Sequence, residues 1–148
     1  MRATVEWANP AEHLGRRLLL IEDNQGAREM LEKFLLIEEF DVRTAENGFQ
    51  GIAVYHEFKP EICIVDIGLP DLNGFEVAMK IKECDYQPEL LIALTGYGQA
   101  EDRKKVIEAG FDLHLVKPIE PTQLMKTIAQ ETIDSDSTKM VVKGSSVR

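Results

Sequence analysis

Five polar residues of this sequence come directly after short apolar runs: Glu22, Asp23, Asp66, Thr95 and Lys117. Three carboxylates that lie close together repel each other, and the repulsion raises at least one pKa unless a cation intervenes. A ligand set of oxygen atoms, without His or Cys, favours Mg²⁺ or Mn²⁺ and makes zinc improbable. An aspartate can attack phosphorus to form an acyl phosphate, while a lysine and a hydroxyl stabilise the phosphoryl oxygens. These residue types therefore indicate metal-assisted phosphoryl transfer to an aspartate.

The elements that would position these residues are strands alternating with helices. Apolar runs predict five strands, at Arg17–Ile21, Phe40–Thr44, Glu61–Val65, Leu90–Leu94 and Leu113–Val116. Apolar residues spaced three and four apart predict a helix after each strand. Such alternation is typical of βαβ units and a parallel sheet, whose ligand sites lie beyond the carboxyl ends of the strands. All five polar residues are expected at that edge.

Composition limits the class of protein. The 148 residues suit one domain, predicted over residues 16–133, with tails at 1–15 and 134–148. A formal net charge of -9 argues against direct binding to nucleic acid. Even the longest apolar run, Leu90–Leu94, is too short to cross a membrane, so we expect a cytoplasmic protein without membrane attachment. Two cysteines, Cys63 and Cys84, do not make a disulfide framework.

Four segments carry a resemblance to a known family. LLLIEDN, IVDIGLPDLNGFE, ALTGYG and HLVKPIE are similar to the motifs of the response-regulator receiver family, in the same order and register, over roughly residues 16–133. The resemblance implies an α/β, flavodoxin-like fold: a doubly wound, five-stranded parallel sheet of order 2-1-3-4-5 with helices on both faces.

The resemblance also implies a cation site. Asp66 corresponds to the residue that accepts the phosphoryl group. Asp23 and Asp66 would ligate Mg²⁺ (or Mn²⁺) together with the backbone carbonyl of Gly68. Glu22 stands where the family has an acid that holds the metal, often through water.

Further roles follow for residues after the fourth and fifth strands. Thr95 would hydrogen-bond the phosphoryl group, and Lys117 would pair with one of its oxygens. The peptide bond between Lys117 and Pro118 is expected to be cis. Tyr97 lies where the family tunes the access of water to the acyl phosphate. His114 stands where the family often has Tyr or Phe, and we expect it to couple the site to a partner-binding face.

The implied function is signalling. The chain would receive its phosphoryl group from a histidine kinase or a histidine phosphotransfer protein. It would then bind a downstream protein through the face of the fourth helix, fifth strand and fifth helix. It would catalyse only its own phosphorylation and slow hydrolysis. The chain could be a freestanding regulator, a phosphorelay intermediate, or a receiver excised from a hybrid sensor kinase.

Two other functions use a related fold or nucleophile. A flavin-binding electron carrier needs phosphate donors after the first strand, where this sequence has Glu22-Asp23-Asn24. A phosphatase with an Asp nucleophile needs a second Asp two residues later, where this sequence has Gly68. Both alternatives therefore fit the sequence less well than the receiver.

Overall fold

The computed structural model describes residues 14–96 and 103–131. Residues 14–118 lie in one compact unit, and residues from Ile119 onwards belong to a second. The strands of the first unit are β1 (Arg17–Ile21), β2 (Asp41–Ala45), β3 (Ile62–Asp66), β4 (Leu90–Thr95) and β5 (Leu113–Val116). Its helices are α1 (Gln25–Ile37), α2 (Gly48–Phe58), α3 (Gly74–Lys82) and α4 (Arg103–Ala109). In the second unit, residues 121–131 are helical. No described helix is both long and apolar enough to cross a bilayer.

The five strands form one parallel sheet of order β2-β1-β3-β4-β5, which confirms the predicted topology. The chain moves one way from β1 to β2 and then the other way through β3, β4 and β5. Crossovers between parallel strands are almost always right-handed, so α1 lies on one face of the sheet, and α2, α3 and α4 lie on the other. The reversal of direction falls between β1 and β3, where open sheets of this kind place their ligand sites.

Burial separates the central strands from the edge strands. Every residue of β3 and β4 is buried, and so are the last four residues of β1. Apolar side chains on both faces of these strands are typical of a parallel sheet covered by helices. The edge strands β2 and β5 are only partly buried. The central strands β1, β3 and β4 therefore form a rigid support for whatever follows them.

Three helices begin with an asparagine that follows the carboxyl edge of the sheet. Asn24 accepts a hydrogen bond from the N–H of Ala27 at 2.8 Å, and Asn47 accepts one from Gln50 at 2.8 Å. Asn73 forms a reciprocal capping box with Glu76 at the start of α3. Such caps satisfy N–H groups that have no partner within the helix.

Helix α3 begins in direct contact with the backbone at the end of β3. A Cβ atom added to Gly74 would lie 2.6 Å from the Cα of Ile67 and 2.7 Å from the carbonyl oxygen of Asp66. Only a residue without a side chain permits this approach, and the helix start is therefore tightly joined to the segment around Asp66.

At the opposite edge of the sheet, Tyr55 joins α2 to the loop after α3, and Tyr86 joins that loop to the loop after α2. Tyr55 donates to the carbonyl of Tyr86 at 2.7 Å, and Tyr86 donates to the carbonyl of Pro60 at 2.7 Å. Beside them is a cavity of about 580 Å³, lined by Ile52, Tyr55, His56, Lys59, Lys80, Glu83, Cys84, Asp85 and Tyr86. The partly exposed thiol of Cys84 lies at this edge, whereas Cys63 is buried in β3.

Candidate functional site

Three carboxylates converge at the carboxyl edge of the sheet. Glu22 and Asp23 follow β1, and Asp66 is the last residue of β3, which pairs with β1. Each of the three offers an oxygen atom within 4.8 Å of those of the other two. Glu22 is 0 % exposed and Asp66 is 5 % exposed, whereas Asp23 is open to solvent. The cluster thus has two buried members and one that faces outward.

Lys117 supplies the positive charge of this cluster. Its Nζ lies 2.9 Å from Oε1 of Glu22 and 3.2 Å from Oδ2 of Asp66. The backbone N–H of Lys117 donates to the carbonyl of Thr95 at 2.8 Å, which ties the residue to the end of β4. The following bond, Lys117–Pro118, is cis, the geometry that the resemblance implied. Residues at the carboxyl ends of β1, β3 and β5 therefore supply the side chains of one site, and β4 supports it through a backbone contact.

Burial and charge act against each other on the pKa of Asp66. Burial raises this pKa, and the neighbouring Glu22 raises it further. A hydrogen bond from the N–H of Gly68 to Oδ1 (3.0 Å) and the charge of Lys117 lower it, but the net direction is upward. For Lys117, burial favours the neutral amine, yet the contacts with Glu22 and Asp66 outweigh burial and raise the pKa. Lys117 therefore stays an ammonium group.

The site fits a divalent cation. Among the residues that the structure describes, one ammonium group contacts this cluster of three carboxylates, so the ionised cluster has an uncompensated charge that a dication would neutralise. The buried Oε1 of Glu22 forms an ion pair with Lys117 and has no other hydrogen-bond partner among the described residues. Ligands that are all oxygen atoms suit Mg²⁺ or Mn²⁺. Glu22, Asp23 and Asp66 are the residues that would hold such an ion.

The other predicted residues lie at varied distances from this cluster. Thr95 ends β4, one residue beyond the partner of Asp66, and its buried hydroxyl lies 3.5 Å from the carbonyl of Leu115. Gly68 donates its N–H to Oδ1 of Asp66 at 3.0 Å. His114 is half-buried in β5, opposite Ala93. Tyr97 lies outside the described residues.

Two residues that the sequence analysis did not identify also contact this edge. Arg28 of α1 donates through Nη1 to the carbonyl of Glu22 at 2.9 Å and lies 3.3 Å from that of Asp23. Asp71 accepts from the N–H groups of Gly48 and Phe49, at 2.8 and 3.0 Å, and so joins the loop after β3 to the start of α2. The available signal for Asp71 was its place after Pro70 in a turn. Arg28 had no signal, since its partners are backbone atoms.

The fold and this site together define a response regulator receiver. The family model for the response regulator receiver domain matches residues 18–129, and the chain belongs to that family. The family is one of signalling domains, which bind Mg²⁺ at an acidic pocket and interact with histidine kinases and downstream partners.

Individual relatives agree with this assignment. The chemotaxis protein CheY of Halobacterium salinarum is 32% identical over 117 residues, which are 78% of this chain and 96% of that protein. The transcriptional regulatory protein AfsQ1 of Streptomyces coelicolor is 36% identical over 103 residues, which are 70% of this chain and 45% of AfsQ1. The signal receiver domain of a putative LuxO repressor from Vibrio parahaemolyticus superposes with a TM-score of 0.75 at 26% identity, over 86% of this chain and 98% of that domain.

Proposed function

We propose that Asp66 accepts a phosphoryl group from a histidine kinase or a histidine phosphotransfer protein, with Mg²⁺ bound, and that the modification changes the binding of a downstream protein. One observation carries the proposal: a single ammonium group, Lys117, contacts both a fully buried Glu22 and Asp66 within a cluster of three acids. Phosphoryl transfer to a carboxylate needs positive charge, from a lysine and a metal ion, to neutralise the carboxylates and the phosphoryl oxygens, and this cluster can provide it.

Asp66, Lys117 and Thr95 have different roles in the proposed phosphoryl transfer. Oδ of Asp66 attacks phosphorus in line, so that a P–O bond forms while the P–N bond to the donor imidazole breaks and the imidazole takes up a proton. Mg²⁺ supplies charge neutralisation for the phosphoryl oxygens. Lys117 exchanges its contact with Asp66 for one with a phosphoryl oxygen, and the hydroxyl of Thr95 turns from Leu115 to donate to another.

The raised pKa of Asp66 is consistent with this role. Without a cation, burial and Glu22 disfavour the carboxylate, which is the nucleophilic form. A dication held by Glu22, Asp23 and Asp66 would favour the carboxylate, so the nucleophile would depend on the bound metal. The transfer is therefore expected to depend steeply on Mg²⁺.

The downstream partner is proposed to bind a face that includes α4 and β5, where Ile107 and Val116 are exposed. His114, also on β5, is proposed to couple this face to the acceptor site. The chain would then act as a freestanding regulator or as the receiver of a hybrid kinase, without turnover of a free substrate. The cytoplasmic location stays a prediction, which cell fractionation would test.

The test is a phosphorylation assay on the whole chain. Incubation with acetyl phosphate and Mg²⁺ should add the mass of one phosphoryl group, and EDTA should prevent the addition. Asp66→Asn, which keeps the size of the side chain but not its nucleophile, should stay unmodified. A wild-type chain that gains no mass from acetyl phosphate or from any phosphohistidine donor would contradict the proposal, as would equal modification of Asp66→Asn.

A further inference from the structure

We propose that Arg28 is a positioning residue for the cation site: it holds the backbone of Glu22 and Asp23 in the conformation that brings their carboxylates to Asp66. This inference rests on the proposed function, because it takes the three acids to be the site of a divalent cation. Arg28 itself touches none of the three carboxylates in the described contacts. Its Nη1 lies instead 2.9 Å from the carbonyl oxygen of Glu22 and 3.3 Å from that of Asp23.

The acid segment, residues 22–24 between β1 and α1, is held at several points, and among the described residues the side chain of Arg28 contacts the carbonyls of Glu22 and Asp23. The N–H of Glu22 donates to the carbonyl of Ala45 at 3.0 Å, which fixes the start of the segment to β2. The N–H of Asn24 donates to Oε2 of Glu22 at 3.0 Å, which fixes its end. Between these two points, the guanidinium bridges two consecutive carbonyls.

Arg28 can act as a rigid holder because α1 fixes its own backbone. The N–H of Arg28 donates to the carbonyl of Asn24 at 2.9 Å, in the first turn of the helix. The side chain of Asn24 caps the same turn through Ala27. The planar guanidinium, which is half-buried, presents its donors in a fixed geometry. The start of α1, the guanidinium of Arg28 and the acid segment are therefore joined by a continuous set of hydrogen bonds.

Positioning and charge make opposite predictions for metal affinity. A positive charge beside a cation site repels the metal, so removal of Arg28 would tighten metal binding if charge were its main effect. If positioning is its main effect, removal loosens the turn that carries two of the acids and weakens metal binding. Outer partners that orient metal ligands typically change affinity by about 10–100-fold when mutated. The direction of the change decides between the two effects.

The experiment measures Mn²⁺ affinity of the full chain by electron paramagnetic resonance of the free ion. Arg28→Met, which removes donors and charge, is expected to raise the Kd about 10-fold. Arg28→Lys, which keeps the charge and a donor, is expected to recover part of the loss. Arg43→Met is the matched control: Arg43 is an exposed arginine of β2 whose guanidinium lies 4.7 Å from the ring centroid of Phe58, and its loss should leave the Kd unchanged.

An unchanged or tighter Kd in Arg28→Met would overturn the proposal, as would a loss that Arg28→Lys does not reduce at all. If Arg28→Met fails to fold, Arg28→Gln takes its place, with the same expected weakening and the same contrary result. Acetyl phosphate treatment of the wild type separates this inference from the proposed function. A wild-type chain that binds Mn²⁺ but never forms an acyl phosphate would end the proposed function and leave the role of Arg28 standing. A wild-type chain that binds no Mn²⁺ would overturn both.

Discussion

Replacing Lys117 by Met should weaken the fold in metal-free buffer and yet tighten the binding of Mg²⁺. The substitution keeps the side chain's length but removes both ion pairs, at 2.9 Å to Glu22 and 3.2 Å to Asp66. Removing one partner of a buried ion pair costs about 3–5 kcal/mol. Because the side chain of Lys117 is 30 % exposed, solvent screening reduces this cost, and we expect a loss of about 2 kcal/mol in the free energy of unfolding. For a domain of this size, that corresponds to a melting temperature lower by roughly 6–10 °C.

Metal binding should change in the opposite direction. A unit charge a few ångströms from a dication contributes about 1–2 kcal/mol of repulsion in water-like surroundings, so its loss should tighten Mg²⁺ binding by about 5–30-fold. Saturating Mg²⁺ should therefore restore more stability to Lys117→Met than it adds to the wild type. The rate of phosphorylation should nevertheless fall, because the variant has no ammonium group at position 117 to contact the phosphoryl group.

The assay is thermal unfolding in EDTA and in a series of Mg²⁺ concentrations. Lys33→Met is the control, because Lys33 is an exposed residue of α1. It should melt like the wild type and show the same response to Mg²⁺. If Lys117→Met melts like the wild type in EDTA, or gains no more than the wild type from Mg²⁺, the charge balance inferred for this site is wrong.

Two further predictions concern the segments around the acceptor. Desolvation is the largest single influence on the pKa of Asp71 and raises it, but the backbone hydrogen bonds, from Phe49 and Gly48 above all, together outweigh it and lower the pKa, so the unfolded chain binds a proton more readily than the folded chain does. The contribution of Asp71 to stability should be complete above the usual pKa of about 4 and be lost as the pH falls through the lower folded value; Asp71→Asn should flatten the stability profile below about pH 4, and an unchanged profile would contradict the contact of Asp71 with the start of α2. Gly74→Ala should destabilise the fold by roughly 1–3 kcal/mol in urea unfolding, because the new Cβ would meet backbone atoms of Ile67 and Asp66 that cannot yield. Its control is Gly26→Ala in α1, where the nearest atom is 3.5 Å away and a neutral or stabilising effect is expected; similar losses in both variants would refute the close approach of α3.

The fold was predictable because its strands are local, apolar and separated by helical patterns. The predicted bounds of the first and fifth strands match β1 and β5, the second and third were each displaced by one residue, and the fourth ended one residue early. Phe40 was assigned to the second strand because it is apolar, and it is indeed buried. Its N–H, however, donates to the carbonyl of Leu35 in α1, and pairing with β1 begins only at Asp41. Backbone hydrogen bonding, which composition does not reveal, sets this boundary.

Helical spacing was a weaker guide to burial than to the existence of helices. Met30 and Phe49 belong to the apolar patterns of α1 and α2, yet 46 % and 64 % of their surfaces are exposed. Gly51 instead brings α2 close to β1, where an added Cβ would lie 2.4 Å from Cδ1 of Ile21. Close backbone approach of this kind depends on the docking of one element on another, which a periodic pattern does not specify.

The acids and the lysine of the site could be identified because chain order and sheet topology alone bring strand ends together. The supporting contacts could not, since Arg28 and Asp71 both bind backbone atoms and any sequence supplies those. The fully buried state of Glu22 was also not predicted. It follows from the packing of the segment after β1 against Lys117 and the end of β2.

The two cysteines make the native chain convenient for site-specific labelling. Cys63 is inaccessible in β3, and burial raises its pKa far above the usual range, so it should resist maleimide reagents in the folded state. Cys84 is partly exposed just after α3, and the nine residues of that helix separate it from Gly74 by about 14 Å of helical rise. A fluorophore should therefore attach at this one position, remote from the acceptor. Anisotropy of such a conjugate could follow docking of a kinase without any engineered residue.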